Sequence, residues 1–264
     1  MTLDVLICTI DSGIARVPLV LAPPTEGVHY VVSMQYTSPD SLNLIPDVLT
    51  SRADVTLTTI EGRGLSLNRN NALAHSTADI RVIADDDNRY TPDDFTTITN
   101  AYREHAEADI ICFAAESYEG KPMKRYPSSV MSFQQAFRQG YYPTSMEMTM
   151  RRNVKTLFDE RFGLGSEHLC AGEEDVFMKD AQDQGYKAIF VPSVIVHSRF
   201  HTTGCDFLTS PLLQRTKGAT FRHIFGTRNA VWRSIKEAAY HAVNNHANPF
   251  VILHNMIKGI WTLP

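Results

Sequence analysis

The sequence predicts an α/β domain built on a mainly parallel sheet, followed by a helical tail. Three observations carry this. Short apolar runs alternate with helical patterns through the first half, an acidic cluster closes one of those runs, and the pattern beyond Pro211 is helical throughout. The 264 residues have room for one large domain, or one domain with a small appendage.

Taken in order, Leu3–Thr9 is a fully buried first strand, closed by the turn residues Asp11, Ser12 and Gly13. His29–Ser33 is the second strand and Val55–Ile60 the third. Gly62 and Gly64 then punctuate the chain before a helix over about Ser66–His75. Ile80–Ala84 is a fourth buried strand that runs directly into Asp85, Asp86 and Asp87. Pro92 suits the first turn of the next helix, and Asp93 and Asp94 suit its positive end. Asp109–Ala114 is a fifth strand. The Tyr/Ser/Gln-rich stretch Tyr118–Thr144 is irregular, and Met146–Met150 is a short alternating strand. A helix begins near Glu173 and ends at Gly185, a plausible C-cap. Ala188–Val196 is a strand ending at His197, and Pro192 inside it predicts an edge or a bulge. This divides the chain into a domain over 1–210, in halves of about 1–117 and 118–210, and a tail over 211–264.

Composition is that of an ordinary globular protein, 43% hydrophobic and 20% charged, and the net charge of −4 gives no reason to expect nucleic acid as a partner. The charge is uneven: from Pro211 onward seven Lys and Arg face the single acid Glu237. Cys8, Cys112, Cys170 and Cys205 lie far apart, which suits buried or partly buried thiols better than a zinc site or a disulfide framework. No basic leader precedes the first strand and no apolar run is long enough to span a bilayer. A reducing, cytoplasmic location is therefore expected.

The aspartate triplet is the most informative feature. Ligands of open α/β sheets bind beyond the carboxyl ends of the strands. Three adjacent carboxylates there repel one another, and a hard divalent ion such as Mn²⁺ or Mg²⁺ relieves the conflict while leaving positions for phosphate oxygens. Asp85 and Asp87 point to one side of an extended segment and Asp86 to the other, so Asp85 and Asp87 can share an ion. A solvated acidic turn capping the next helix is the alternative, whereas the glycine and terminal glutamate of an EF-hand loop are missing.

In context the chain resembles family 2 glycosyltransferases of the GT-A fold. Gly64-Leu65-Ser66-Leu67-Asn68-Arg69-Asn70-Asn71-Ala72-Leu73 is similar to that family's G-x-x-x-A-R-N-x-G-L helix start. IRVIADDDNRYTPDDF is similar to its strand, D-x-D and downstream proline. FDERFGLGSEHLCAGEEDVFMKDAQDQGYKAIFVPSVIVHSR is similar to its acceptor-side segment, so the likeness covers roughly residues 3–200. It implies a GT-A-like, Rossmann-like sheet and an inverting enzyme. Such an enzyme moves a sugar from a nucleoside-diphosphate sugar to a hydroxyl of a glycan or lipid-linked acceptor, as in surface polysaccharide biosynthesis.

The resemblance assigns Asp87 and Asp85 to the metal, with His197 as a further ligand or else a hydrogen-bonded structural histidine. Asn88 stands where a further aspartate is common. Asp86 faces either the metal or the sugar. Arg69 and Asn70 fall on the donor side, where a guanidinium at a helix N-terminus favours anions; a surface place for Arg69 is the other option. Thr9 and Asp11 resemble the nucleotide edge. Gln35 stands where an aspartate often helps recognise the base, which weakens any expectation of uracil. Asp175, preceded by Glu174 and Glu173, matches the acid that acts as base, although acids at a helix start also stabilise the dipole. The Tyr118–Thr144 region is expected to shape the acceptor side.

The basic, apolar tail is expected either to lie on an anionic inner-membrane surface or to pack on the domain or form a homodimer contact. The competing functions are a nucleotidyltransferase, for which the expected basic, glycine-rich phosphate loop is poor, a glycoside hydrolase, and a sugar-nucleotide-binding module without transfer activity.

Overall fold

The computed structural model describes residues 1–199 and 206–262; Cys205, Leu263 and Pro264 lie outside them. Strands occur at Leu3–Ile10 (β1), Val28–Tyr36 (β2), Val55–Glu61 (β3), Ile80–Asp85 (β4), Ile110–Ser117 (β5), Met131–Ser132 (β6), Met148–Arg151 (β7) and Ala188–Ser198 (β8). Helices occur at Asp47–Ser51 (α1), Leu65–His75 (α2), Pro92–Glu104 (α3), Phe133–Arg138 (α4), Glu173–Asp183 (α5), Pro211–Asn245 (α6) and Pro249–Ile260 (α7). The strands form one sheet in the order β3-β2-β1-β4-β7-β5-β8-β6.

The chain forms two compact units: residues 1–63, 67–157 and 180–200, and residues 64–66, 158–179 and 201–264. In the first unit, β3, β2, β1 and β4 are parallel; β1, β2 and β4 are apolar runs buried almost throughout, as inner parallel strands are, and β3 is the partly exposed edge. The register sets Cys8 of β1 opposite Asp85 of β4, and Ile10 of β1 opposite Gln35 of β2. The carboxyl ends of these three strands therefore meet at one edge. Leu3, Val5, Ile7, Val32, Val82, Phe95 and Ile98 are among the residues of the core around them. Burial pushes the Cys8 thiol up to about 12 and raises Cys112 as well, while Cys170 is half-buried; all three are free thiols.

Two sequence expectations are refined by tertiary pairing. Strand β7 begins at Met148 because Ser145–Glu147 form a 3-10 turn, and it runs antiparallel between β4 and β5. Pro192 lies in a bulge: Cys112 pairs Phe190 and Ala114 pairs Val194, so the extra residues of β8, including exposed Pro192, leave the ladder. The stretch read as irregular holds β6 and α4, whose N-cap Ser132 makes a capping box with Gln135.

In the second unit, Phe162, Leu169, Val176 and Ala219 form a small buried cluster, so the tail read as starting at 211 shares its unit with residues 158–179. Helix α6 breaks at Gly226, whose φ of 74° is left-handed. Helices α6 and α7 cross at glycines. A Cβ on Gly218 would lie 2.0 Å from the Met256 carbonyl oxygen, and one on Gly259 would lie 1.8 Å from that of Arg215. Gly259→Ala is accordingly expected to force the helices apart and to cost about 2 kcal/mol, the range of overpacking. Gly226→Ala meets nothing within 4 Å, but its φ of 74° and ψ of 162° lie in a region essentially restricted to glycine, so it carries about 1–3 kcal/mol of backbone strain without parting the helices. Urea unfolding of the two variants measures both costs.

Candidate active site

The site of the first unit is built on the carboxyl ends of β1, β2 and β4. Helix α2 is fastened there by a buried amide network. Asn68 donates to the Thr9 carbonyl (2.9 Å) and accepts from Ser33 Oγ (2.5 Å), and Asn71 donates to Ser33 Oγ (2.8 Å). This places Arg69, 2% exposed, with Nη2 3.3 Å from Asp85 Oδ1. Ser145 Oγ donates to the other oxygen of Asp85 at 3.2 Å. Asn70 follows in the same helix and is half-buried.

The three aspartates have three different surroundings. Asp86 is tied down: Thr9 Oγ1 donates to it at 2.6 Å and Arg16 grips both its oxygens, at 2.8 Å each from Nη2. Its side chain is 14% exposed, against 37% for Asp85. Gly13 makes room for that grip, since a Cβ there would lie 2.4 Å from Thr9 Oγ1 and 2.5 Å from Asp86 Oδ2. Asp87 is the carboxylate with the raised pKa. Burial contributes most, then the charges of Asp85 and Asp86, and Arg199 opposes them.

Asn88 holds the triplet in place. Its Oδ1 accepts from the Asp85 amide (2.8 Å), its own amide donates to the Asp85 carbonyl (3.2 Å), and its Nδ2 donates to Ser198 Oγ (3.2 Å). Tyr118 donates its hydroxyl hydrogen to the Asp87 carbonyl, and its ring lies 5.5 Å from the Arg89 guanidinium carbon. Asn88→Ala is expected to cost about 2 kcal/mol, because buried partners of the amide lose their bonds. Chemical denaturation of the variant measures this.

His197 is placed by its backbone, which exchanges both hydrogen bonds with Arg89 at 2.8 and 3.0 Å. This brings β8 alongside the residues that follow the triplet. Asp11, with a φ of 46°, accepts from the Thr37 amide and hydroxyl (both 2.8 Å) and from Ser41 (2.9 Å), and these bonds hold its carboxyl below the usual range. Gln35 is buried, and its Nε2 has no partner among the described residues.

In the second unit, Glu173, Glu174 and Asp175 make the first turn of α5, where a helix N-terminus favours acids. Glu173 is buried and the other two are half-buried. Gly172, just before the helix, has a φ of 86° and no space for a Cβ, which would meet Thr220 Oγ1 at 2.4 Å.

Sequence reasoning singled out Asp85, Asp86, Asp87, Arg69 and Thr9, and the fold brings these together. It missed Arg16, Ser145 and the bracing by Asn88 and Ser198. The Arg16–Asp86 and Ser145–Asp85 contacts span 70 and 60 residues with no local pattern. Gly13 was the one usable hint.

Residues 38–166 match the family model described as Glycosyl transferase family 2. That match spans just under half of the chain. The segment includes Arg69, Asn70 and the triplet; Thr9, Asp11, Gln35, Glu174, Asp175 and His197 fall outside it. No curated protein matches the chain. Among solved structures it is similar to S. aureus TarS 1-349 at 12% identity, over 99% of this chain and 91% of that one, with a TM-score of 0.58. The same TarS fragment in complex with UDP-GlcNAc gives 11%, the same coverages and 0.59. Its complex with UDP gives 14%, 93% and 74%, and 0.57. The chain thus has the GT-A-like α/β architecture, and at these identities the structural likeness is one of fold.

Proposed function

We propose that this chain is an inverting family 2 transferase. It would move a sugar from a nucleoside-diphosphate sugar to a hydroxyl of a glycan or lipid-linked acceptor, in the building of a surface polysaccharide. The observation that carries the reading is the division of labour in the triplet. Asp86 is occupied by Arg16 and Thr9, while Asp85 is the more exposed and Asp87 the carboxylate whose ionisation is disfavoured. Asp85 and Asp87 fit Mn²⁺ or Mg²⁺ as hard oxygen donors, whereas His197 does not group with them as a third ligand. No cluster of three or more His, Cys, Asp or Glu is placed to hold an ion among the described residues, so the donor diphosphate and water would complete the shell. When bound, the cation would offset the negative charge that gathers on the leaving diphosphate.

The protein's own groups have separate tasks in this reading. Arg69, buried against Asp85, holds that carboxylate in its orientation. Thr9, Arg16 and Gly13 fix Asp86 away from its neighbours' task. Gln35, with an amide hydrogen to offer, lies on the nucleotide side with Thr9, Asp11 and Asn70. Asp175, assisted by Glu174, takes the proton of the acceptor hydroxyl. Tyr126, Tyr141, Arg125 and Gln139 line an open cleft of about 570 Å³, which we assign to acceptor binding.

UDP-GlcNAc is the first donor to test, because TarS has been seen with it. The proposal expects Mn²⁺-dependent release of nucleoside diphosphate from one member of a nucleotide-sugar panel. NMR of the glycoside product should show the anomeric configuration inverted relative to the donor. Retention at that centre would remove the single-displacement mechanism, and binding without any release would leave a sugar-nucleotide-binding module.

A further inference from the structure

The helical hairpin of the second unit has a face that its own packing does not use. On α6, Arg228, Trp232, Lys236, Tyr240 and Val243 are exposed at spacings of three or four residues, which puts them on one side of the helix. On α7, Phe250, Val251, Lys258 and Trp261 form a similar stripe. These are not marginal exposures: Phe250 is 81% exposed, Val243 75% and Trp261 66%. The opposite positions, among them Ala230, Ala238, Ile252, Met256 and Ile260, are buried in the hairpin's own core. The exposed stripes are therefore surplus to folding.

Their chemistry is that of a water–lipid boundary. Cations stand beside the aromatic rings: Lys236 lies 5.4 Å from the Trp232 ring and Arg222 5.8 Å from that of Trp261. Glu237, the single acid beyond Pro211, faces Lys217 at 4.0 Å and His241 at 3.5 Å. Tryptophan and phenylalanine with Lys and Arg on adjacent turns, and no opposing acid on the stripe, match an anionic lipid surface. A protein interface core instead loses its lysines. No described helix is long and apolar enough to cross a membrane, so the contact is with the surface.

We propose that the α6–α7 hairpin binds the surface of an anionic lipid bilayer, with its exposed aromatic residues in the headgroup region and its Lys and Arg on lipid phosphates. The test is sedimentation of the full chain with vesicles, without donor or acceptor, so its outcome is independent of the transfer activity. Binding is expected to phosphatidylglycerol–phosphatidylcholine vesicles, to weaken with added salt, and to be at least tenfold poorer with phosphatidylcholine alone. The double variant Trp232→Ser/Phe250→Ser should lose roughly tenfold in binding at an unchanged melting temperature. The charge variant Arg228→Gln/Lys236→Gln/Lys258→Gln, which leaves every apolar contact in place, should lose at least as much. Absence of binding to anionic vesicles overturns the proposal, and so does binding that neither variant weakens. A dimer in sedimentation velocity that both variants dissolve, with no vesicle binding, would assign the face to a second copy of the chain instead.

Discussion

Asp87→Asn is expected to lower sugar transfer on the order of a hundredfold or more, because it removes a carboxylate from the proposed cation site, where charge stabilisation is worth several kcal/mol. The substitution keeps the shape of the side chain. It also removes a charge whose ionisation burial and Asp85 and Asp86 oppose, so the fold should be no less stable. Asp86→Asn is the internal control. It weakens the grip of Arg16, a half-exposed partner, and should cost no more than about 1 kcal/mol of stability. Its effect on transfer should be within tenfold. Initial rates against Mn²⁺ concentration for both variants separate the two aspartates. Equal losses would mean that the triplet acts as one unit and that the division of labour is wrong.

Glu147→Ala is expected to destabilise the first unit by about 3 kcal/mol, the cost of breaking a buried, paired charge. Glu147 is fully buried and accepts from Lys124 (3.1 Å), Tyr126 (2.8 Å), Tyr141 (2.9 Å) and the Thr144 amide (3.1 Å). Removing the carboxylate strips these donors of their shared acceptor. The loss is not total, because the Tyr126 and Tyr141 hydroxyls also reach the Ala115 and Phe113 carbonyls, and Lys124 is 27% exposed. Glu147→Gln keeps an acceptor in the same place and should lose less than half as much. Since Tyr126 and Tyr141 line the open cleft, Glu147→Ala should also loosen that wall. Urea midpoints of the two variants test the ranking, and a Gln variant as unstable as the Ala variant would contradict it.

How much of this was legible depended on distance along the chain. The inner parallel strands β1, β2 and β4 were readable because each holds an apolar run closed by its own turn residues, and both signals are local. The order of the strands was not, since β7 is inserted between β4 and β5 by pairings that no sequence period encodes. The same holds at the site. Asp85, Asp87 and Arg69 belong to short motifs and could be read directly. Arg16 reaches Asp86 only because the 3-10 turn Asp11–Leu19 folds back over Gly13, and Glu147 gathers two tyrosines from a stretch whose composition suggests only a loop. Asp11 was readable as a turn residue and as a nucleotide contact; in the fold it accepts from Thr37 and Ser41.

The measurement that tests the central claim most directly is thermal unfolding of the wild-type chain with a panel of nucleoside-diphosphate sugars, each with and without Mn²⁺. A ligand that binds the native state raises the melting temperature by mass action, by about 2.7 kcal/mol of stability at a hundredfold excess over its dissociation constant. The account predicts that at least one nucleotide-sugar raises the melting temperature only when Mn²⁺ is present, that Asp87→Asn abolishes the response and that Asp86→Asn keeps it. A panel in which no nucleotide-sugar moves the transition, with or without the cation, would contradict it.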